Sequence, residues 1–239
     1  MRIGTWNLER LRRGARCSGA YDEALASLRA DLVIVTEPGP GFRERHPLSS
    51  VSPEERPGRG GKEAWVAIVG TSLQAVDLDI AYHLLAVACR TVLDETSVVV
   101  YGSVLPWLSA RTHAPDVYGD MPRPFIEIFA TVLGEQVEDM RELRLRYPDE
   151  ALVWAGDFNN TLMGRALQRE ASAMLQRAVE DLGLKVTNAA APHRQAGIRA
   201  LDLICIQESW TCTAVETGFP LLGDRALSDH CSYVSLVTT

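Results

Sequence analysis

The 239-residue chain lacks the features of membrane-spanning, exported and disulfide-stabilised proteins. No apolar run approaches the roughly 18–20 residues that a membrane-spanning helix needs, and the N-terminal segment has no apolar stretch or cleavage site of a signal peptide. The five cysteines are odd in number and scattered, with neither a CxxC pair nor a Cys/His zinc spacing. These absences predict a soluble cytoplasmic protein with no membrane span, whose cysteines are free thiols.

The chain also lacks an excess of positive charge. Its 24 Lys and Arg against 31 Asp and Glu give a net charge of −7, whereas proteins that bind duplex nucleic acid usually carry a basic patch. Arginines do cluster within residues 10–16 and 43–59, the second time inside a Pro- and Gly-rich segment, 38–63, that predicts a long loop. Such clusters suit either a local phosphate-binding patch or ordinary solvated loops, so charge leaves the substrate class open.

The order of predicted elements indicates an α/β protein. Residues 31–36 and 151–155 are continuous apolar runs, typical of strands buried on both faces. Apolar residues at helical spacing predict helices from Phe125 to about Tyr147 and from about Met163 to Leu182. Most of the other predicted strands follow one another directly. The succession predicts two sheets packed face to face with helices on their outer faces, in one domain spanning residues 1–239.

Polar side chains stand at the ends of apolar strands, or inside them, in five places along the chain. They are Asn7, Glu37, Asp157 with Asn159, Asp202, and Asp229 with His230. Taken singly, most of them have an ordinary explanation as turn formers, solvated loop residues or a satisfied histidine.

Asp202 is the exception, because it interrupts an apolar strand where a carboxylate needs a partner. A ring N–H of His230 is a natural donor, and the pairing would fix the tautomer of the imidazole. Asn7, Glu37 and Asp229 offer only oxygen ligands, which suit a hard cation such as Mg²⁺ or Mn²⁺. Asp157 could then orient or deprotonate an attacking water.

Five segments together resemble the endonuclease/exonuclease/phosphatase superfamily, in that family's order and across nearly the whole chain. They are Thr5-Trp6-Asn7-Leu8-Glu9, Val35-Thr36-Glu37, Trp154-Ala155-Gly156-Asp157-Phe158-Asn159, Leu201-Asp202-Leu203-Ile204 and Leu227-Ser228-Asp229-His230-Cys231. The resemblance implies a four-layer α/β sandwich of two mainly antiparallel sheets, with the active site at one edge of the sheets.

The resemblance also implies a metal site with Mg²⁺ or Mn²⁺ as cofactor. Glu37 is similar to the family's principal metal ligand, assisted by Asn7 and Asp229. Glu9 matches a position where apurinic endonucleases carry an Asp near the metal, which makes it a further candidate ligand.

Four more positions match the family's reacting groups. Asp157 matches the Asp that activates water, and Asn159 matches the Asn that holds the phosphate or that Asp. His230 matches the histidine that binds and neutralises the scissile phosphate, with Asp202 as its orienting partner.

One departure from the family pattern concerns the segment after residues 98–101. Val104 stands where the family usually places a phosphate-contacting His or Tyr, and a valine side chain has no hydrogen-bond donor. Tyr101, Ser103 or His113 are candidates to supply the missing donor, although His113 is better explained as a solvated loop residue.

These observations predict a divalent-metal-dependent phosphoesterase, foremost a phosphodiesterase or nuclease, with nucleic acid as a candidate substrate and no evident obligatory protein partner. Trp107 and Arg111 could stack on and pair with a nucleotide. The alternatives are a phosphomonoesterase, a phospholipid or inositol-phosphate hydrolase of the same fold, or a catalytically weakened binding module, for which Val104 is the best support. Substrate-contacting loops, here mainly 38–63 and 107–124, decide between the hydrolases.

Overall fold

The computed structural model of the protein describes residues 1–11, 17–53, 56–58, 61–77, 83–108, 124–164 and 168–239. Its strands are β1 Arg2–Asn7, β2 Leu32–Thr36, β3 Ser50–Val51, β4 Arg56–Gly58, β5 Gly61–Glu63, β6 Val66–Gly70, β7 Gln74–Val76, β8 Ala86–Leu93, β9 Thr96–Val104, β10 Ala151–Asp157, β11 Leu184–Val186, β12 Asp202–Gln207, β13 Thr211–Gly218, β14 Leu221–Leu222, β15 Arg225–Ala226 and β16 Ser232–Thr238. Its α-helices are α1 Ser18–Ser27, α2 Phe42–Arg45, α3 Phe125–Arg146 and α4 Arg169–Asp181, and a 3₁₀ turn spans His83–Leu85.

Two six-stranded sheets form the centre of the fold. The first has the order β13-β16-β1-β2-β6-β3 and the second the order β11-β12-β10-β9-β8-β7. Each sheet contains one parallel pair, β1 with β2 and β9 with β10, and its other neighbours are antiparallel. The short pairs β4–β5 and β14–β15 are separate hairpins.

The sheets pack face to face around an apolar core. A Cβ added at Gly102 on β9 would lie 3.0 Å from Val66 and 3.2 Å from Ile34, which belong to the opposite sheet. The absence of a side chain at this position therefore allows the two sheets to approach closely. Buried residues of both sheets form one continuous cluster.

Helices cover both outer faces. Tyr21 and Leu25 of α1 pack with Trp6 and Val33 on the outside of the first sheet. α3 and α4 bury apolar stripes against the second sheet, as expected for amphipathic helices. The result is an α/β/β/α sandwich, as the sequence predicted.

Several element predictions need correction. The segment 38–63, predicted as a loop, contains α2 and the short strands β3, β4 and β5. The second predicted helix begins at Arg169 and not near Met163.

The five cysteines are free, as predicted, and Cys89, Cys205 and Cys231 are buried. Among the helices that the structure describes, none has both the length and the apolar character needed to cross a bilayer.

Candidate active site

The first sheet brings four of the predicted site residues to one edge. β1 and β2 run parallel, with Asn7 opposite Thr36, so Glu37 follows β2 beside the end of β1. β16 runs antiparallel to β1, and it therefore begins where β1 ends. The turn carrying Asp229 and His230 leads directly into β16 and so lies at the same edge.

The second sheet places Asp157 between two neighbours in register. β10 ends at Asp157, which lies opposite Asp202, the first residue of the antiparallel strand β12. On its other side Asp157 lies opposite Val104, the last residue of the parallel strand β9. Partners in register project from the same face of a sheet, so the three side chains share one face.

Gly156, directly before Asp157, allows β10 to lie close to the neighbouring strand β9. Its φ is +144°, and an added Cβ would lie 1.9 Å from the carbonyl oxygen of Ser103 on the neighbouring strand. Both the dihedral and the space require glycine at this position.

We expect Gly156→Ala to lower the free energy of unfolding by about 2–4 kcal/mol, because the strands must separate to admit a methyl group. Urea unfolding measures the effect. Gly134→Ala is the matched control: Gly134 is exposed in α3 with nothing within 4 Å of an added Cβ, so it should stabilise the helix by about 0.5–1 kcal/mol. Equal unfolding midpoints for wild type and Gly156→Ala would contradict this account.

Asp157 is a buried carboxylate held by amide donors. Asn7 Nδ2 donates to its Oδ2 at 2.8 Å, and the backbone N–H of Asn159 donates to its Oδ1 at 2.9 Å. Asn159 itself is fixed by a 2.9 Å hydrogen bond to the carbonyl oxygen of Leu105. Burial, assisted by the nearby charge of Asp202, raises the pKa of Asp157 to about 7 against the opposing effect of these donors. The carboxyl group therefore exchanges a proton near neutral pH.

Asp202 and His230 form a close pair beside Asp157. The Nδ1 atom of His230 lies 2.6 Å from Oδ2 of the fully buried Asp202. Since a carboxylate only accepts hydrogen bonds, Nδ1 is the donor. Burial lowers the pKa of His230, but the charges of Asp202 and Asp157 and the hydrogen bond to Asp202 outweigh it and hold that pKa well above its ordinary value. The ring is thus cationic near neutral pH.

Sequence reasoning missed two residues that position this pair. Ser228 Oγ donates to the carbonyl oxygen of Asn7 at 2.7 Å and accepts from the backbone N–H of His230 at 3.0 Å. Asn188 donates to the carbonyl oxygen of Asp202 at 2.7 Å and accepts from the backbone of β12. Ser228 lies inside a quoted motif, whereas no pattern in the sequence points to Asn188.

Hydrogen bonds connect the predicted oxygen ligands through the backbone after β1. Asn7 Oδ1 accepts the backbone N–H of Glu9 at 2.7 Å, and Glu9 Oε2 accepts the backbone N–H of Asp229 at 3.1 Å. The backbone N–H of Arg10 donates to the carbonyl oxygen of Glu37 at 3.0 Å, which links Glu37 to the same turn. Three carboxylates and an amide oxygen are the donor types that Mg²⁺ and Mn²⁺ prefer, so these residues fit such an ion.

Backbone strain concentrates at this edge. Glu9, Arg10, Leu11, Glu37 and Asn159 have φ values between 48° and 55°. Non-glycine residues rarely adopt this left-handed region, and such residues cluster at functional sites where the surrounding structure holds them in place.

Asp157, Asp202 and His230 come close enough to hold a metal ion, with one potential ligand atom from each within 4.8 Å of the others; among the described residues, the carboxylates of Glu9, Glu37 and Asp229 do not form such a group. However, the hydrogen bond between Asp202 and His230 engages Nδ1. By donor type, a hard cation is better matched by the oxygen ligands Asn7, Glu9, Glu37 and Asp229 than by this group with its imidazole.

The positions of Tyr101 and Ser103 contradict the prediction that one of them donates a hydrogen bond to the phosphate. Both are fully buried, and by strand alternation they project from the face opposite Val104. Trp154 Nε1 donates to Ser103 Oγ at 2.9 Å, and burial with the nearby carboxylate of Asp139 on α3 raises the pKa of Tyr101 well above its usual value. Their hydroxyls thus belong to the layer between the sheet and α3.

The other predicted substrate contacts have different outcomes. Trp107 is partly exposed and its ring centroid lies 5.7 Å from that of Trp65, whose carbonyl oxygen accepts the backbone N–H of Glu37. Trp107 therefore packs against Trp65 and the apolar core. Arg111 and His113 lie outside the described residues.

The raised pKa of His230 predicts a pH dependence of stability in the presence of chelator. The folded chain keeps this proton above pH 6.5, the ordinary value, where the unfolded chain has lost it, so the free energy of unfolding falls as the pH rises. We expect a fall of about 1–2 kcal/mol between pH 6.5 and 8 in urea unfolding. The raised pKa of Asp157, about 7, contributes in the same direction and would rise further without the charge of His230. The comparison is therefore made in an Asp157→Asn background, where His230→Gln should remove most of the remaining slope. A wild-type curve that is flat or rises over this range would disprove the assignment.

Comparisons with known proteins support the fold. No protein-family model and no curated protein sequence matches the chain. Among solved structures, a 3'-5' exonuclease from Neisseria meningitidis is 16% identical with a TM-score of 0.67, covering 100% of both chains. An endonuclease/exonuclease/phosphatase family protein from Leptotrichia buccalis is 13% identical with a TM-score of 0.64, again covering 100% of both chains. TDP2 from D. rerio, complexed with a single-stranded DNA product, is 13% identical with a TM-score of 0.57, covering 100% of this chain and 99% of that one.

At these identities the likeness establishes architecture and not activity. It extends over the entire chain and agrees with the two packed sheets and their outer helices. The chain therefore has the fold of the endonuclease/exonuclease/phosphatase superfamily.

Proposed function

We propose that the protein is a divalent-metal-dependent phosphodiesterase of the nuclease type, which cleaves a P–O bond by in-line attack of water. The observation that carries the proposal is the position of Asp157. This buried carboxylate lies at the meeting edge of both sheets, hydrogen-bonded to Asn7 and in register with the histidine-bound Asp202.

Asp157 is the group that orients and deprotonates the water. With a pKa of about 7, its carboxylate and carboxylic acid forms are both populated near neutral pH, which is the range in which a general base is most effective. As the water oxygen bonds to phosphorus, its proton passes to Asp157. The P–O bond opposite the water then breaks and the leaving oxygen departs.

His230 is the group that stabilises charge on the phosphoryl oxygens. Asp202 holds Nδ1, so the cationic ring directs Nε2–H away from the carboxylate of Asp202. A charged donor fixed in a largely buried site stabilises the transition state more strongly than the same group in water.

Glu37, Glu9, Asp229 and Asn7 would hold the divalent cation. When bound, such an ion polarises a phosphoryl oxygen and stabilises charge on the leaving oxygen. Asn7 would connect the ion with the base, because its amide also donates to Asp157.

The charge of the site and the partly exposed ring of Trp107 favour a nucleic-acid diester over a monoester as the substrate. The site gathers the carboxylates of Asp157 and Asp202 around one imidazolium, and a diester brings one negative charge where a monoester brings up to two. Trp107, partly exposed and in ring contact with Trp65, offers a surface on which a base could stack. Structural neighbours include an exonuclease and a protein complexed with a single-stranded DNA product.

A second candidate, a binding module with weak or no catalysis, is favoured by Val104. This side chain is 1% exposed beside Asp157 and offers no donor to a phosphate. Loss of one charge-stabilising donor costs about 2.7–4 kcal/mol of transition-state energy. If the protein is such a binding module, it should bind phosphate without hydrolysing any substrate.

A substrate panel with Mg²⁺ or Mn²⁺, repeated with chelator, tests the proposal. It contains single- and double-stranded DNA, abasic DNA, RNA, bis(p-nitrophenyl) phosphate, a phosphomonoester and inositol phosphates. We expect metal-dependent turnover of at least one diester, abolished by chelator and by Asp157→Ala. If only monoesters or inositol phosphates are hydrolysed, the protein is a hydrolase of another type and the nuclease proposal is wrong. If the wild type does not exceed the Asp157→Ala control on any substrate, the enzymatic proposal is wrong.

A further inference from the structure

Most amide donors of the candidate active site have partners within the protein. Asn7 donates to Asp157, Asn159 to the carbonyl oxygen of Leu105, and Asn188 to the carbonyl oxygen of Asp202. Val104 has no donor. A phosphate bound here would therefore depend on the Nε2–H of His230 unless another group contributes.

His193 is a second imidazole in contact with His230. Its ring centroid lies 5.3 Å from that of His230, with the rings nearly perpendicular at 82°. Its turn connects β11 to β12 and is braced in two places. The backbone N–H of His193 donates to the carbonyl oxygen of Ile198 at 3.2 Å, and the hydroxyl of Tyr233 on β16 donates to the carbonyl oxygen of Pro192 at 2.9 Å.

The hydrogen bonds of His193 define which ring nitrogen carries the proton. The backbone N–H of Gln195 donates to Nδ1 at 3.0 Å, so Nδ1 is an acceptor and the hydrogen is on Nε2. Nε2 is buried and has no hydrogen-bond partner within the described part of the chain. A buried N–H without an acceptor is unfavourable, and a ligand oxygen would relieve it.

The surroundings of His193 keep this ring neutral. Burial, together with the cationic His230, lowers the pKa of His193, although the carboxylates of Asp202 and Asp229 act in the opposite direction. The two rings are in contact, and the Nε2–H of His193 has no acceptor within the described part of the chain, so a phosphate oxygen could accept from it.

We propose that His193 is a substrate-contacting residue whose Nε2–H donates to a non-bridging oxygen of the phosphate held by His230. The assignment rests on the proposed function for its substrate. It gives the site a second imidazole donor although Val104 offers none. The ligand class is a phosphodiester or, at minimum, the phosphate group itself.

Kinetics of three variants test the contribution to turnover. His193→Phe keeps a ring against His230 and removes the N–H, and we expect kcat/KM on the best diester of the panel to fall by about 10²-fold. His193→Gln keeps a side-chain N–H donor and should recover part of this loss. His46→Phe is the matched control, since His46 pairs with Asp22 outside the site. Equal kcat/KM for His193→Phe and His46→Phe would overturn the inference.

Binding of inorganic phosphate tests the contact without turnover. In two-dimensional ¹⁵N NMR of the imidazole rings, orthophosphate should shift Nε2 of His193 together with Nε2 of His230, in wild type and in the inactive Asp157→Ala variant. A His193 signal unchanged by orthophosphate overturns the inference, whatever the kinetics. If phosphate shifts His193 but wild type turns over no substrate, the contact stands and the phosphodiesterase proposal fails. If diesters are hydrolysed without that shift, the proposed function stands and the role of His193 fails.

Discussion

Asp157→Asn is expected to lower kcat for diester hydrolysis by about 10³-fold, within the range that a general base contributes. The amide matches the carboxylate in size and can still accept the backbone N–H of Asn159, which now reaches Oδ1 at 2.9 Å. The amide cannot take a proton from water. Its NH₂ group replaces the oxygen that accepts from Asn7 Nδ2 in the wild type. The loss should therefore fall on kcat with little change in KM.

Asp139→Asn separates this effect from the general consequences of changing a buried aspartate. Asp139 lies on α3, where burial raises its pKa to about 6, and it should keep wild-type kcat when substituted. The acidic limb of the rate profile, with an apparent pKa near that of Asp157, should vanish in Asp157→Asn and persist in Asp139→Asn. Retention of more than a tenth of wild-type kcat by Asp157→Asn would exclude Asp157 as the base.

The sequence predicted the sandwich and much of the site because the relevant signals are local. A polar residue at the end of an apolar strand is visible without knowledge of the partners, as at Asn7 and Asp157. The burial of Asp202 also follows from its strand alone, and its need for a donor led to His230, which the structure places 2.6 Å away. The roles assigned to these residues stay predictions until kinetics test them.

The predictions for Tyr101 and Ser103 were wrong because the sequence of a strand buried on both faces does not show which side chains project from which face. β9 is buried on both faces from Val98 to Val104, so its composition did not reveal that Tyr101 and Ser103 share the face opposite Val104. Register and alternation decide this, and a shift of one residue exchanges the faces. The contact between His193 and His230 depends on the turn before β12, and no spacing in the sequence encodes it.

The second large effect is expected for Asp202→Asn, which should lower kcat by about 10³-fold at pH 8, by analogy with the loss of an orienting carboxylate in a hydrolytic triad. The charge of Asp202 is the leading influence that raises the pKa of His230 against burial. Without this charge, burial dominates and the ring becomes neutral at a lower pH. The phosphoryl oxygens then lose a cationic donor.

The pH dependence distinguishes this electrostatic role from a loss of structure. Asp202 also raises the pKa of Asp157, so its removal moves both the base and the imidazolium to lower pH. We expect the ratio of variant to wild-type kcat to rise as the pH falls from 8.5 to 5.5, with the optimum displaced towards acid. Asp22→Asn, which removes the carboxylate from His46 at 2.9 Å, should leave both the rate and the optimum unchanged. Because a purely structural defect would reduce kcat by a similar factor at every pH, a constant ratio would show that Asp202 positions His230 without controlling its charge.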